Sequence, residues 1–174
     1  MLSFTGHHSN RTLSGIALLV LVLLLAACAA GAESWSLEWS ELPPLPNPEG
    51  VAGPFAGIHN DALIVAGGAN FPNKPRWETD KVWHADAYVL VKKDGGYEWL
   101  TADPLPAPRA YGAAVSTSEG VLCMGGNDSE TTFADVFLLQ WDPAAKRLTR
   151  AEFPSLPQPC ASGSATLIGD KVYL

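Results

Sequence analysis

Positive charge is scarce in this sequence: 11 Lys and Arg stand against 18 Asp and Glu, for a net charge of −7. A chain so acidic offers no electrostatic footprint for nucleic acid, and anionic lipid surfaces are equally poor partners. A long hydrophobic run is missing too. The apolar stretch Ile16 to Ala27 has twelve residues, where a bilayer-spanning helix needs about 20. Cysteine is rare, three in 174 residues, so at most one internal bridge can form. The segments that read as strands offer no cluster of Tyr and His ligands of the kind a copper centre requires, and no cofactor is expected.

What stands at the N-terminus is an address. Arg11 precedes the twelve-residue apolar core, the pattern of an export signal, and residues 1–28 are set apart from the fold on that reading. The core ends in Leu25-Ala26-Ala27-Cys28, which resembles the bacterial lipobox, where cleavage exposes a cysteine that receives a lipid; Ala30-Gly31-Ala32 would serve equally as an ordinary cleavage site. Either route takes the protein to the periplasm or cell envelope, with membrane attachment only through a lipid on Cys28. Removing residues 1–28 takes away one of the 11 basic side chains and none of the 18 acidic ones, so the remainder carries −8. Cys123 and Cys160 are then left to pair or to stay free. Cys123 lies within the apolar run Val121 to Met124, where a buried thiol acts as a small hydrophobe.

Residues 29–174 repeat. Leu105-Pro106-Ala107-Pro108-Arg109-Ala110-Tyr111-Gly112 aligns without gaps on Leu156-Pro157-Gln158-Pro159-Cys160-Ala161-Ser162-Gly163, 51 residues on, and a looser copy begins at Leu45-Pro46. A glycine pair closes an apolar run at Gly67-Gly68 and again at Gly125-Gly126. Asp86 and Asp135 each open a further apolar segment, and Trp99 and Trp141 follow. The segment between glycine pair and aspartate has 17 residues in the first copy and 8 in the second.

A period near 50 with Gly-Gly, Asp and Trp in this order resembles the Kelch repeat, in which each copy is one four-stranded blade of a β-propeller. The resemblance implies an all-β fold. The first copy reads as strands at Phe55 to His59, Ala62 to Ala66, Asp86 to Val91 and Tyr97 to Thr101, with turns at Asn60-Asp61 and Asp94-Gly95-Gly96. The first strand of each copy is poor in large side chains, as suits the crowded innermost strand. Trp35 to Pro46 mirrors the end of a blade and is expected to form an orphan fourth strand that closes the ring; Lys171 to Leu174 reads as the second strand of a third blade. Two full blades, half of a third and a closing strand are therefore expected. Propellers close with about four to eight blades of about 50 residues, so the sequence reads as the N-terminal part of a propeller.

Alternating strand direction puts the loops between the second and third strands, and those between one blade and the next, on one end of the blades. Long loops on a rigid scaffold are where function concentrates. Gly67-Gly68-Ala69-Asn70-Phe71-Pro72, Trp77-Glu78, Lys81-Val82-Trp83-His84 and Asp86 resemble the corresponding stretch of the N-acetylneuraminate epimerase, or sialic acid mutarotase, family, in its cyclically permuted branch. Thr79-Asp80 and Arg76 depart from that pattern. The resemblance implies an exported isomerase that interconverts the anomers of a sialic acid. Such chemistry needs one group to take the proton of the anomeric hydroxyl and another to protonate the ring oxygen. Glu78 and His84 are the candidates for proton transfer, Arg76 and Arg109 for the substrate carboxylate, and Asn70, Trp77 and Asn127 for orienting and stacking on the sugar.

Each candidate has a structural alternative: Arg109 as a brace between loops, His84 as a structural histidine, Glu78 as a solvated charge. Asp86 and Asp135 read as hydrogen-bond acceptors within the blades, Trp99 and Trp141 as packing residues. A non-catalytic propeller that grips a glycan or a protein through the same loops is the competing function.

Overall fold

The structure is a computed structural model that describes residues 36–72 and 78–174. The export segment with Cys28, and the loop residues Arg76 and Trp77, lie outside the described residues. Residues 36–40 belong to a first unit that ends at Ser40, and here Trp39 is 88% exposed. All strands lie in the second unit, Glu41–Leu174.

Blade one is an antiparallel sheet of β1 (Phe55–His59), β2 (Ala62–Ala66), β5 (Ala87–Lys93) and β6 (Gly96–Ala102). β3 (Ala69–Asn70) and β4 (Val82–Trp83) pair with each other as a short ribbon beyond the sheet. Blade two repeats the meander as β7 (Ala113–Thr117), β8 (Gly120–Met124), β9 (Val136–Asp142) and β10 (Arg147–Phe153). β11 (Thr166–Ile168) and β12 (Lys171–Tyr173) form a hairpin where the first half of a third blade was expected. These are blades of a β-propeller. The hairpin turns behave as their residues dictate: φ is +49° at Asn60 and +58° at Asp61, and +48° at Asp94 and +83° at Gly95, the backbone that makes a two-residue turn match strand twist.

The segment read as a closing strand is expected to pair with the last blade of a ring, and a strand exists only through its ladder; residues 36–46 carry no strand among the described residues. The Pro43 carbonyl accepts the Trp99 indole N–H at 2.9 Å.

The repeat landmarks are the joints between blades. In blade one Gly67 N–H donates to the Asp86 carbonyl (2.8 Å) and Gly68 N–H to the Arg109 carbonyl of the next loop (2.7 Å). In blade two Gly125 N–H donates to Asp135 (2.9 Å) and Gly126 N–H to Cys160 (2.8 Å). Leu105 N–H reaches the Ala85 carbonyl and Leu156 N–H that of Ala134, so the Leu-Pro element docks on the residue before each aspartate. A Cβ at Gly67 would stand 2.3 Å from the Arg109 oxygen, and one at Gly125 2.1 Å from the Cys160 oxygen. Glycine is therefore obligatory where one blade's second strand ends against the next blade's entry.

The innermost strands are small-featured for the same reason. A Cβ at Gly57 would meet Val121 at 2.7 Å, and one at Gly112 the ring of Phe55 at 2.2 Å. Between the blades Phe55 meets Phe137 edge to face, with centroids 5.3 Å apart, and Ile64, Val89, Val121, Cys123 and Trp141 complete a common core. Cys123 and Cys160 are free thiols.

Candidate functional site

The loops that leave the second strand of each blade and those that enter the next blade interlock at one end. Ala52 pairs with Ala69 and Ala110 with Asn127 through reciprocal backbone bonds of 2.8 to 2.9 Å. This superimposes Val51-Ala52-Gly53 on Arg109-Ala110-Tyr111. The register explains the looseness of the first copy, which has two more residues between Leu45 and Gly53 than stand between Leu105 and Tyr111. Gly53, Tyr111 and Ser162 share a φ of +61°. They are also chained: Tyr111 N–H donates to the Gly53 carbonyl and Ser162 N–H to that of Tyr111, both at 2.7 Å.

Beside this chain lies a cleft of about 450 Å³ lined by Glu49, Gly50, Val51, Ala52, Ala69, Asn70, Phe71 and Tyr111. One sequence candidate, Asn70, lines it and is bonded to a second, His84. His84 Nε2 is 2.8 Å from Asn70 Oδ1. Asn70 Nδ2 donates to the Gly50 carbonyl (2.8 Å) and faces Asn47 Oδ1 (3.3 Å), so its Oδ1 is the end turned to the imidazole, and Nε2 carries the hydrogen. Nδ1, the other ring nitrogen, lies 3.8 Å from Asp86 Oδ2.

Asn127 joins the same end of the blades: its Oδ1 accepts the Trp83 indole N–H at 3.3 Å. The next residue, Asp128, caps the loop by accepting backbone N–H bonds from Glu130 (2.8 Å) and Thr131 (2.7 Å). Those bonds, Glu130's first, hold its carboxyl below the ordinary carboxylate range. Lys81 lies over two rings, its Nζ 4.1 Å from the Tyr111 centroid and 4.9 Å from that of Trp83.

Arg109 is not brought to the cleft. Its guanidinium is buried, 7% exposed, donates from Nη2 to Asp135 Oδ2 at 2.7 Å, and stacks 3.8 Å from the Phe133 ring. Nη1 is buried with no partner among the described residues. Its geometry is that of the brace, and Asp135 is the acceptor the repeat called for. Glu78 is exposed, and among the described residues no hydrogen bond or ion pair joins it to these groups. Trp141 is buried and Trp99 lies edge-on to Tyr88, 6.4 Å between centroids, as packing residues do.

Lys81, Tyr111 and Glu49 had no assigned role in the sequence. For Tyr111 the signal existed: an aromatic residue stands where the first copy has glycine. Lys81 stood only as part of the stretch Lys81-Val82-Trp83-His84, with no sign of its ring contacts, since its neighbours depend on the path of the loop.

The N-acetylneuraminate epimerase family profile matches residues 26–148. An N-acetylneuraminate epimerase of Brucella suis is 40% identical over 129 residues, covering 66% of this chain and 32% of the relative. One of Vibrio cholerae is 40% identical over 119 residues, covering 60% and 30%, and N-acetylneuraminate epimerase 1 of Escherichia coli is 34% identical over 115 residues. The chain thus spans about a third of the length of the curated relatives it matches. The solved structure of YjhT superimposes with a TM-score of 0.57 at 29% identity, over 68% of this chain and 36% of that one.

Proposed function

The chain belongs to the N-acetylneuraminate epimerase family, and we propose that it supplies blades of an exported, lipid-anchored mutarotase acting on N-acetylneuraminate. The observation that carries the reading is the family match across residues 26–148, which takes in the whole loop from Ala69 to Ala85 together with the cleft it borders.

Mutarotation opens the sugar ring and closes it on the other face. A base removes the proton of the anomeric hydroxyl as the C–O ring bond breaks, and an acid protonates the departing ring oxygen; closure reverses both transfers. No electrons change hands. In this reading His84 accepts at Nδ1, the atom that its bond to Asn70 leaves open. Glu78, a carboxylate on the same loop, is the partner acid or base, and Arg76, Trp77, Asn70 and Asn127 hold the sugar. Arg109 serves the site through the backbone, its N–H donating to the His84 carbonyl at 3.0 Å.

The test is anomer exchange of freshly dissolved N-acetylneuraminate, followed by NMR with the full-length protein against the spontaneous rate. Exchange above that baseline supports the reading. Binding without acceleration makes the protein a sugar-binding propeller instead.

A further inference from the structure

Every loop that enters a blade places one residue in the left-handed region, and in the first copy it is Gly53, the residue for which that backbone is free of strain. In the second it is Tyr111, a bulky side chain for which φ of +61° is an outlier. The fold has accommodated it deliberately. A Cβ on Gly53 would fall 2.5 Å from Tyr111 Cδ1, so the glycine leaves room for the ring. Strain held in this way accumulates at functional sites, and the ring is a wall of the cleft.

On that ring sits the Lys81 ammonium, 4.1 Å from its centroid and 4.9 Å from that of Trp83. Two aromatic faces fix the position of a side chain that would otherwise sample many rotamers. They neutralise no charge and occupy no N–H in a strong hydrogen bond. Among the described residues Lys81 has no carboxylate partner, whereas the Arg109 guanidinium is already spent on Asp135.

We propose that Lys81, clamped by Trp83 and by Tyr111, which lines the cleft, is the group that receives the carboxylate of a sugar acid. The inference rests on the sialic acid reading for its substrate and replaces Arg109 with Lys81 as the anion-recognising residue. Trp83, tied to Asn127, and Tyr111, tied to Gly53 and Ser162, position the ammonium and do not themselves touch the reacting atoms.

The full-length protein and its Lys81→Met and Tyr111→Asn variants are titrated with N-acetylneuraminate and with its neutral methyl ester. Methionine keeps the stem over the rings and removes the charge; asparagine tolerates the left-handed backbone and removes the ring. Loss of a hydrogen-bonded charge contact is expected to weaken binding of the acid about ten- to hundredfold and to leave the ester within about twofold. Lys81→Arg should recover part of the loss. Equal weakening of acid and ester, or no weakening of either, overturns the proposal. Should wild type bind neither, D-glucuronate and D-glucose take their place: a preference for the acid that Lys81→Met abolishes keeps the anion site and removes only the sialate. Absence of any such preference ends both.

Discussion

Arg109 closes blade two by reaching from the loop that enters it to the carboxylate that opens its third strand: Nη2 donates to Oδ2 of Asp135 across 2.7 Å, with the Phe133 ring 3.8 Å from the guanidinium. The pair is 26 residues apart in sequence. A fork so placed cannot also face a ligand in the cleft, and its loss should be read in stability.

Arg109→Ala is expected to destabilise the full-length protein by about 1–3 kcal/mol, the range for removing a charged hydrogen-bond partner, with the Asp135 carboxylate half exposed and able to rehydrate. Arg109→Lys should recover only part, because a point charge replaces neither fork nor stack. Denaturant midpoints measure both. An unchanged midpoint would refute the bracing role.

The glycine pairs provide a sharper contrast. Gly125→Ala drives a Cβ into the Cys160 carbonyl from a φ of +63°, whereas Gly95→Ala has a φ of +83° and nothing within 4 Å. Both carry the left-handed strain of about 1–2 kcal/mol; only the first also breaks a joint between blades. Gly125→Ala should therefore lower the melting temperature well beyond Gly95→Ala, and equal shifts would show that the glycine pair is a turn requirement alone.

That distinction marks what was legible in the sequence. The blade landmarks could be read because each is a backbone joint repeated in every copy: Gly67 with Asp86, Gly68 with Arg109, Leu105 with Ala85. Strand bounds followed from turns that demand positive φ, such as Asn60-Asp61. The direction of the Arg109 side chain was not legible, since either a ligand or Asp135 could satisfy it and only the fold brings Asp135 to hand. The pairing of the closing strand was not legible, because strand propensity in Trp35 to Pro46 says nothing about a ladder partner. Asn70, His84 and Asn127 were legible as polar loop residues, but the Asn70 to His84 bond lies in the loop's path.

Burial pushes the Cys123 thiol up, against smaller opposing effects of Arg150 and then Arg109, and the group is fully enclosed. In the native protein iodoacetamide at about pH 8 should label Cys160 and leave Cys123 untouched until denaturant is added. Native labelling of Cys123 by mass spectrometry would contradict the packed core.

Asp128 ionises more readily when folded than unfolded, so its contribution is present above the ordinary carboxylate range and is lost as pH falls through its depressed value. Below about pH 4 wild type should lose stability faster than Asp128→Asn, which cannot titrate. Parallel acid limbs in the two proteins would show that the Asp128 cap adds nothing.

Lipid attachment has a direct check by fractionation. Wild type should partition into detergent and Cys28→Ala should not; identical soluble behaviour of the two would leave plain secretion as the route.

The central claim is that the Asn70 to His84 loop performs proton transfer on a sialic acid, and NMR measurement of N-acetylneuraminate anomer exchange by full-length wild type, Glu78→Gln and His84→Gln tests it most directly. Exchange above the spontaneous rate is expected for wild type, and a fall of about a hundredfold or more in each variant with binding of the sugar preserved. Variants as fast as an active wild type would place the acid and base elsewhere and contradict it.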